Sequence, residues 1–317
     1  MKHRIALLDD YQNIALRMAD WSRLGDCEVV ALSRHIDDPD ELARTLADFD
    51  VVMALRERTP LRAGLLARLP RLELIVTAGK RNASIDVAAA QAQGIVVCGT
   101  SGLTYPTAEL AIGLMLSLAR DIPSQQQSLR EGRWQTRVGF GLNGKTLGVL
   151  GLGTLGSRVA RIGGAFEMDV IAWSQNLTAE RAAGQGARRV EKDELFARSD
   201  FLSIHLVLSE RTRGLVGARE LVQMKPTAYL VNTSRGPIVD EAALIDALRA
   251  GRIAGAGLDV YDREPLPADH PLVRAPRTIL TPHLGYVTEE TYRVFYGEAL
   301  EDIEAFLAGS PLRVLQP

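Results

Sequence analysis

Along the first part of the chain, short apolar runs alternate with longer amphipathic segments. Runs at 5–8, 29–32, 51–55, 72–76 and 95–97 read as strands, and the intervening 40–48, 61–69 and 85–93 have helical composition and spacing. Asp40 and Ser84 stand where N-caps are expected, because their side-chain oxygens can accept from the unused N–H groups of a first helical turn. Strand–helix–strand rhythm implies parallel βαβ units, so this part predicts one small α/β domain.

After the turn-like Ser101-Gly102-Leu103-Thr104-Tyr105-Pro106 comes an apolar helix at 107–119. A polar stretch at 121–144, rich in Gln, Arg and Gly, then has the composition of a domain boundary. A second alternating series follows, with strands expected at 146–150, 170–173, 201–204, 228–232, 255–259 and 278–280, and it predicts a second parallel sheet. The tail at 289–308 reads as a helix, since Val294, Ala299, Leu300, Ile303, Phe306 and Leu307 recur at helical spacing. At roughly 150 residues per domain, a chain of 317 residues has room for the two cores this pattern implies.

Composition narrows the function classes. With 24% charged residues and a formal net charge of −2, basic side chains lie among acids, as in Arg56-Glu57-Arg58 and Glu191-Lys192-Asp193-Glu194. There is no basic stripe to hold a nucleic-acid backbone, so no nucleic-acid partner is expected. Cys27 and Cys98 form neither a metal-ligand spacing nor a disulfide framework, which predicts no metal and fits a reducing, cytoplasmic setting. The N-terminal apolar run ends at Asp9-Asp10, too short for a signal peptide, and no run approaches the ~18 apolar residues of a membrane span. A soluble, unprocessed protein with no membrane partner is the expectation.

The sharpest local motif is Gly151-Leu152-Gly153-Thr154-Leu155-Gly156, directly after the strand at 146–150 and opening an apolar helix to about Phe166. In that context it reads as a dinucleotide fingerprint: Gly151 permits the tight turn, Gly153 lets backbone approach a pyrophosphate, and Gly156 allows helix–strand packing. The second strand of the unit ends at Trp173-Ser174, where an acid normally accepts from the ribose 2′-hydroxyl of NAD. Ser174 removes the charge that would repel a 2′-phosphate, yet no arginine adjoins it, so NAD and NADP both stand; Ser174 also fits an ordinary loop serine. Three further strand ends carry candidate chemistry. Val231-Asn232-Thr233-Ser234-Arg235 presents Arg235, whose fork suits a carboxylate, although an arginine at a strand end is more often a plain surface residue. Glu264 follows the strand at 255–259, and His283 follows that at 278–280, where a carboxylate beside an imidazole makes a proton donor and acceptor near neutral pH. Singly, each fits a structural role; together, after a dinucleotide fingerprint, they point to catalysis.

In this order and spacing the residues resemble the D-isomer-specific 2-hydroxyacid dehydrogenases, a group that includes glyoxylate/hydroxypyruvate reductases, and the likeness covers nearly the whole chain. The resemblance implies two Rossmann-like parallel-sheet domains, the cofactor domain (104–285) inserted into a discontinuous flavodoxin-like substrate domain (1–103 and 286–317). It implies that Arg235 binds the substrate carboxylate and carbonyl, that His283 is the acid/base and that Glu264 is its partner. Gly151, Gly153, Thr154, Leu155, Gly156, Ser174, Thr233, Gly285 and Thr107 would be cofactor contacts, with Asp259 on the nicotinamide carboxamide. Arg56 and the Ala78-Gly79 loop, through its backbone N–H groups, would hold the substrate. Hydride transfer between NAD or NADP and C2 of a small 2-oxo or D-2-hydroxy acid is the implied activity.

Family members of this kind pair as homodimers through the cofactor domain, and the 121–144 excursion with Trp134 would wrap the partner. The same family includes NAD(H)-sensing corepressors, the competing reading. Three positions depart from the common pattern: Ser174 replaces the acid, Val207 stands where proline is frequent, and Tyr286 follows Gly285 where glycine is common. Lys80-Arg81 beside the carboxylate loop adds positive charge suited to a second anionic group on the substrate, or forms a solvated pair.

Overall fold

The computed structural model describes residues 3–317. They form two compact units, one from the segment up to Leu103 together with Val287–Pro317, the other Thr104–Tyr286. In the first unit, strands β1 (Arg4–Leu7), β2 (Glu28–Ala31), β3 (Val51–Ala54), β4 (Leu74–Thr77) and β5 (Val96–Gly99) form a parallel sheet in the order β2-β1-β3-β4-β5. That is the flavodoxin-like order. β3 and β4 are buried along their whole length, which is why they read as unbroken apolar runs instead of alternating ones.

The second unit holds β6 (Thr146–Leu150), β7 (Asp169–Trp173), β8 (Arg188–Arg189), β9 (Phe201–Ile204), β10 (Tyr229–Asn232), β11 (Gly255–Leu258) and β12 (Thr278–Leu280), ordered β12-β11-β10-β9-β6-β7-β8. All pairs are parallel. This is the doubly wound Rossmann arrangement with one strand added, and its order reverses between β6 and β9, the crevice where such sheets take ligands. Register places Leu150, Ile204, Asn232, Leu258 and Leu280 in one row at the carboxyl edge. The residues following that row are therefore brought to the same end of the sheet.

Local details depart from expectation in instructive ways. The N-caps are Asp38, accepting from Asp40 N–H, and Asp86, accepting from Ala89 N–H, not Asp40 and Ser84. In the first helix, Pro39 supplies the preset φ of the opening position and shifts the cap to the residue before it. Ser84 cannot cap because its carbonyl accepts from Leu61 N–H in a short bridge that keeps 61 and 85 extended. The same bridge delays the start of both expected helices, which run over Ala63–Leu66 and Val87–Ala92. The polar 121–144 stretch is not a boundary. It begins with the helix Ile122–Arg130 and returns to the core of the second unit, where Leu142 is buried and Phe140 packs on Phe201 and Tyr229. The tail helix Glu289–Leu307 packs in the first unit, burying Tyr292, Phe295, Tyr296 and Ile303.

Candidate active site

The fingerprint glycines do three different things. Gly151 has φ +101°, and a Cβ there would lie 2.7 Å from His205 O; at Gly156 a Cβ would lie 2.0 Å from Gly151 O. At Gly153 it would meet nothing within 4 Å, so the chain's open face is there. Gly153 is the N-cap of the helix Thr154–Ala165 and offers no side chain to its first turn. Ser157 is the first to close the ladder, onto Gly153 O at 2.8 Å, and the N–H groups of Thr154, Leu155 and Gly156 are left for an anion. A cavity of about 520 Å³ opens from this turn and extends past Ser174 to His205 and Val207.

Buried polar atoms without protein partners fit a bound polar group. Thr233, just past β10, is buried and its Oγ1 has no hydrogen-bond partner among the described residues. His205, just past β9, bonds Ser203 Oγ through Nε2 at 2.8 Å while its Nδ1 has none. Burial lowers its pKa from 6.5 to about 4, so the ring is neutral near pH 7. Open helix N–H groups, a glycine-walled turn at the switch point and orphaned donors or acceptors beside it suit a dinucleotide.

On the other half of the sheet, His283 Nδ1 lies 2.5 Å from Glu264 Oε2, and Glu264 Oε1 accepts from Tyr261 N–H at 2.9 Å. One carboxylate thus joins the loop after β11 to the loop after β12. His283 sits in the left-handed region at φ 53°, and Asp259 fixes the loop that carries it. The wholly buried Asp259 accepts from Thr281 Oγ1 (2.6 Å) and Leu284 N–H (2.6 Å) at Oδ1 and from Gly285 N–H (2.8 Å) at Oδ2. Burial pushes this carboxyl up, while those donors and the nearby His283 draw it down. Thr107 Oγ1 holds the same loop from the other side by donating to Gly285 O at 2.7 Å. What the structure displays for Asp259, Gly285 and Thr107 is anchoring of the His283 loop.

Arg235 is placed by Asn232, whose amide accepts from Ser234 N–H and donates to Arg235 O, each at 3.0 Å. The next residue, Gly236, runs against β11's exit: a Cβ would lie 2.1 Å from Tyr261 C. This close approach brings the Arg235 turn onto the Tyr261–Glu264 segment. Sequence reading missed Asn232, Tyr261 and Thr281, because a buried Asn, Tyr or Thr beside a strand carries no motif. It also missed His205. Although no arginine adjoins Ser174 in sequence, the fold brings Arg181 and Arg211 to the same cavity.

In the first unit, Arg56 (φ 57°) donates from Nη1 to Ala78 O at 3.1 Å, and Asn82 donates to Arg56 O. Ala78 N–H extends the sheet to Ala54 O and Gly79 N–H donates to Thr100 Oγ1, both at 2.9 Å.

Comparison with known proteins decides the lineage. Residues 112–285 match the profile of the D-isomer specific 2-hydroxyacid dehydrogenase, NAD binding domain. The chain belongs to that family. It is 42% identical to the glyoxylate reductase of Aeropyrum pernix over 77% of this chain and 76% of that protein. It is 39% identical to the D-3-phosphoglycerate dehydrogenase of Archaeoglobus fulgidus over 86% of this chain, and spans only 52% of that longer protein. A crystal structure from Ralstonia solanacearum, described as a putative D-3-phosphoglycerate dehydrogenase oxidoreductase, superposes with a TM-score of 0.94 at 37% identity, covering 99% and 97% of the two chains.

Proposed function

We propose that this family member transfers hydride between a nicotinamide dinucleotide and C2 of a small 2-oxo or D-2-hydroxy acid. The observation that carries the reading is the Glu264–His283 pair, 2.5 Å apart at Nδ1, held in the same unit as the open dinucleotide turn. The nicotinamide supplies or accepts the hydride; the chain's residues bind, orient and move the proton. Thr154 and Leu155 N–H groups would hold the pyrophosphate, with Gly153 allowing its approach, and Ser174, Thr233 and Gly285 would contribute further contacts to the cofactor. Glu264, facing Nδ1, orients the ring of His283 and fixes its tautomer, so that Nε2 is the atom that protonates the developing alkoxide or takes a proton from the alcohol. Arg235 pairs its planar fork with the substrate carboxylate and carbonyl. On the resemblance, Arg56 is assigned to the substrate as well.

The relatives' names, glyoxylate reductase and D-3-phosphoglycerate dehydrogenase, keep the substrate within small acids, with Lys80-Arg81 available for a second anionic group. Exposed Ile122, Leu129, Trp134 and Val138 make the excursion after β5's unit the surface through which two copies would pair as a homodimer. No helix among the described residues is long and apolar enough to cross a membrane, and a cytoplasmic setting is proposed from the two free cysteines. The test is initial rates of NADH and NADPH oxidation against a panel of 2-oxo acids. Turnover with a member of the panel is expected; dinucleotide binding with no turnover on any 2-oxo acid would overturn the assignment.

A further inference from the structure

The second unit carries an unusual distribution of charge around Ser174. Among the described residues, the cavity that runs from the fingerprint turn past the Ser174-Gln175-Asn176 tip has no Asp or Glu in its lining, but it has two arginines, Arg181 and Arg211. They come from different elements. Arg181 lies in the helix Ala179–Ala183 that follows β7, and Arg211 lies in the loop after β9. Both are exposed, and neither has a carboxylate partner among the described residues. Other arginines of this region do: Arg188 and Arg198 pair with Asp169, and Arg189 pairs with Glu191 at 2.9 Å. Arg181 is turned toward the tip, its Nη1 reaching Asn176 O at 3.5 Å.

Where β7 ends, an NAD-selective site places an acid that accepts from the ribose 2′-hydroxyl and repels a 2′-phosphate. Ser174 occupies that place here, and among the described residues the only formal charges lining the cavity are two guanidinium groups. A phosphate monoester carries about −1.5 to −2 charges near pH 7 and three acceptor oxygens, and the arginine fork matches it bidentately. Resting on the dinucleotide reading above, we infer that Arg181 and Arg211 form a 2′-phosphate subsite that makes this chain select NADP(H) over NAD(H). The shared cavity and the absence of competing carboxylates carry this assignment. Ser174 adds a neutral hydroxyl that can donate to the same phosphate.

The test uses the full chain and measures binding, independent of turnover. NADPH and NADH dissociation constants are read from nicotinamide fluorescence, and adenosine 2′,5′-bisphosphate against AMP from calorimetry. A charge-assisted phosphate contact is worth roughly 10- to 100-fold in affinity, and solvent screening at these exposed groups favours the lower end. NADPH is therefore expected to bind at least tenfold tighter than NADH, and adenosine 2′,5′-bisphosphate tighter than AMP by a similar factor. Arg181→Ala and Arg211→Ala should each weaken NADPH about tenfold while changing NADH less than threefold, and Ser174→Asp should reverse the preference. Equal or tighter binding of NADH by the wild type overturns the inference and leaves the dinucleotide site standing. So does a preference for NADPH that survives both arginine variants. Failure of both dinucleotides to bind would instead overturn the proposed function on which the inference rests.

Discussion

Replacing Gly236 by alanine tests how the Arg235 turn and the Glu264 segment are held together. The added Cβ would lie 2.1 Å from Tyr261 C, 2.3 Å from Tyr261 O and 2.6 Å from Asp262 N, against an ordinary contact of 3.4–4 Å. All three obstacles are backbone, so the two loops must part by about 1 Å, and no side-chain rotation relieves the clash. Overpacking costs typically 1–3 kcal/mol, and a backbone obstacle belongs at the upper end. At roughly 2–4 °C per kcal/mol for a domain of this size, the melting temperature should fall by about 6–12 °C. Displacement of a positioned group by ~1 Å costs on the order of 10²-fold in rate. Dinucleotide affinity should change little, because the fingerprint turn follows β6, away from this contact. Thermal and urea denaturation, single-turnover hydride transfer and a cofactor titration read the three effects separately. A Gly236→Ala protein with wild-type melting temperature and wild-type turnover would refute the reasoning.

Two fingerprint variants should separate binding from folding. Gly156→Ala meets Gly151 backbone and should destabilise by about 2–3 kcal/mol, whereas Gly153→Ala faces open space and should cost under ~1 kcal/mol as a helix N-cap change yet weaken dinucleotide binding at least tenfold; urea titration beside fluorescence binding checks both, and normal binding by Gly153→Ala counts against the pyrophosphate assignment. Asp259→Ala removes the acceptor of three hydrogen bonds and leaves the buried Gly285 N–H and the half-buried Leu284 N–H unmatched, at roughly 1–3 kcal/mol for the buried one and less for the other, so both stability and turnover should fall; a variant that loses neither would show that the His283 loop is held by other contacts. His205, half-buried with its Nδ1 shut from solvent, gives a pH signature. Its folded pKa of about 4 lies below the ordinary 6.5, so the unfolded chain takes up a proton first: the stability it contributes is complete above pH 6.5 and is lost as the pH falls toward 4. His205→Asn should lack this part of the slope in urea unfolding between pH 7 and 5, and an unchanged slope would show that the ring is not held neutral.

Much of the architecture was legible because burial writes itself into composition. β3, β4 and β9 are covered on both faces and appear as continuous apolar runs, and the fingerprint lies where a strand gives way to a helix, so two parallel α/β sheets followed from pattern and glycine spacing, while the insertion of one domain into the other followed from the family resemblance. Helix ends were less legible. Whether Asp38 or Asp40 caps its helix depends on Pro39, and whether residue 61 is helical depends on a bridge to Ile85 that no local propensity encodes. The Glu264–His283 contact joins residues far apart in sequence, so the sequence could only offer them as candidates at strand ends. Asn232, Tyr261 and Asp259 position the loops through hydrogen bonds to backbone, an arrangement without a sequence signature. Arg211 shows the same limit: it is remote from Ser174 along the chain and meets its cavity only because β7 and β9 flank β6, whereas Arg181 lies in the helix that follows β7.

His283 is the atom-level centre of the proposed chemistry, and the most direct measurement is single-turnover hydride transfer to a 2-oxo acid that the wild type reduces, compared with His283→Ala at saturating cofactor. Loss of a general acid is expected to slow the step by roughly 10²–10⁴-fold with the cofactor dissociation constant unchanged. Hydride transfer at the wild-type rate in His283→Ala would contradict the assignment of proton transfer to the Glu264–His283 pair.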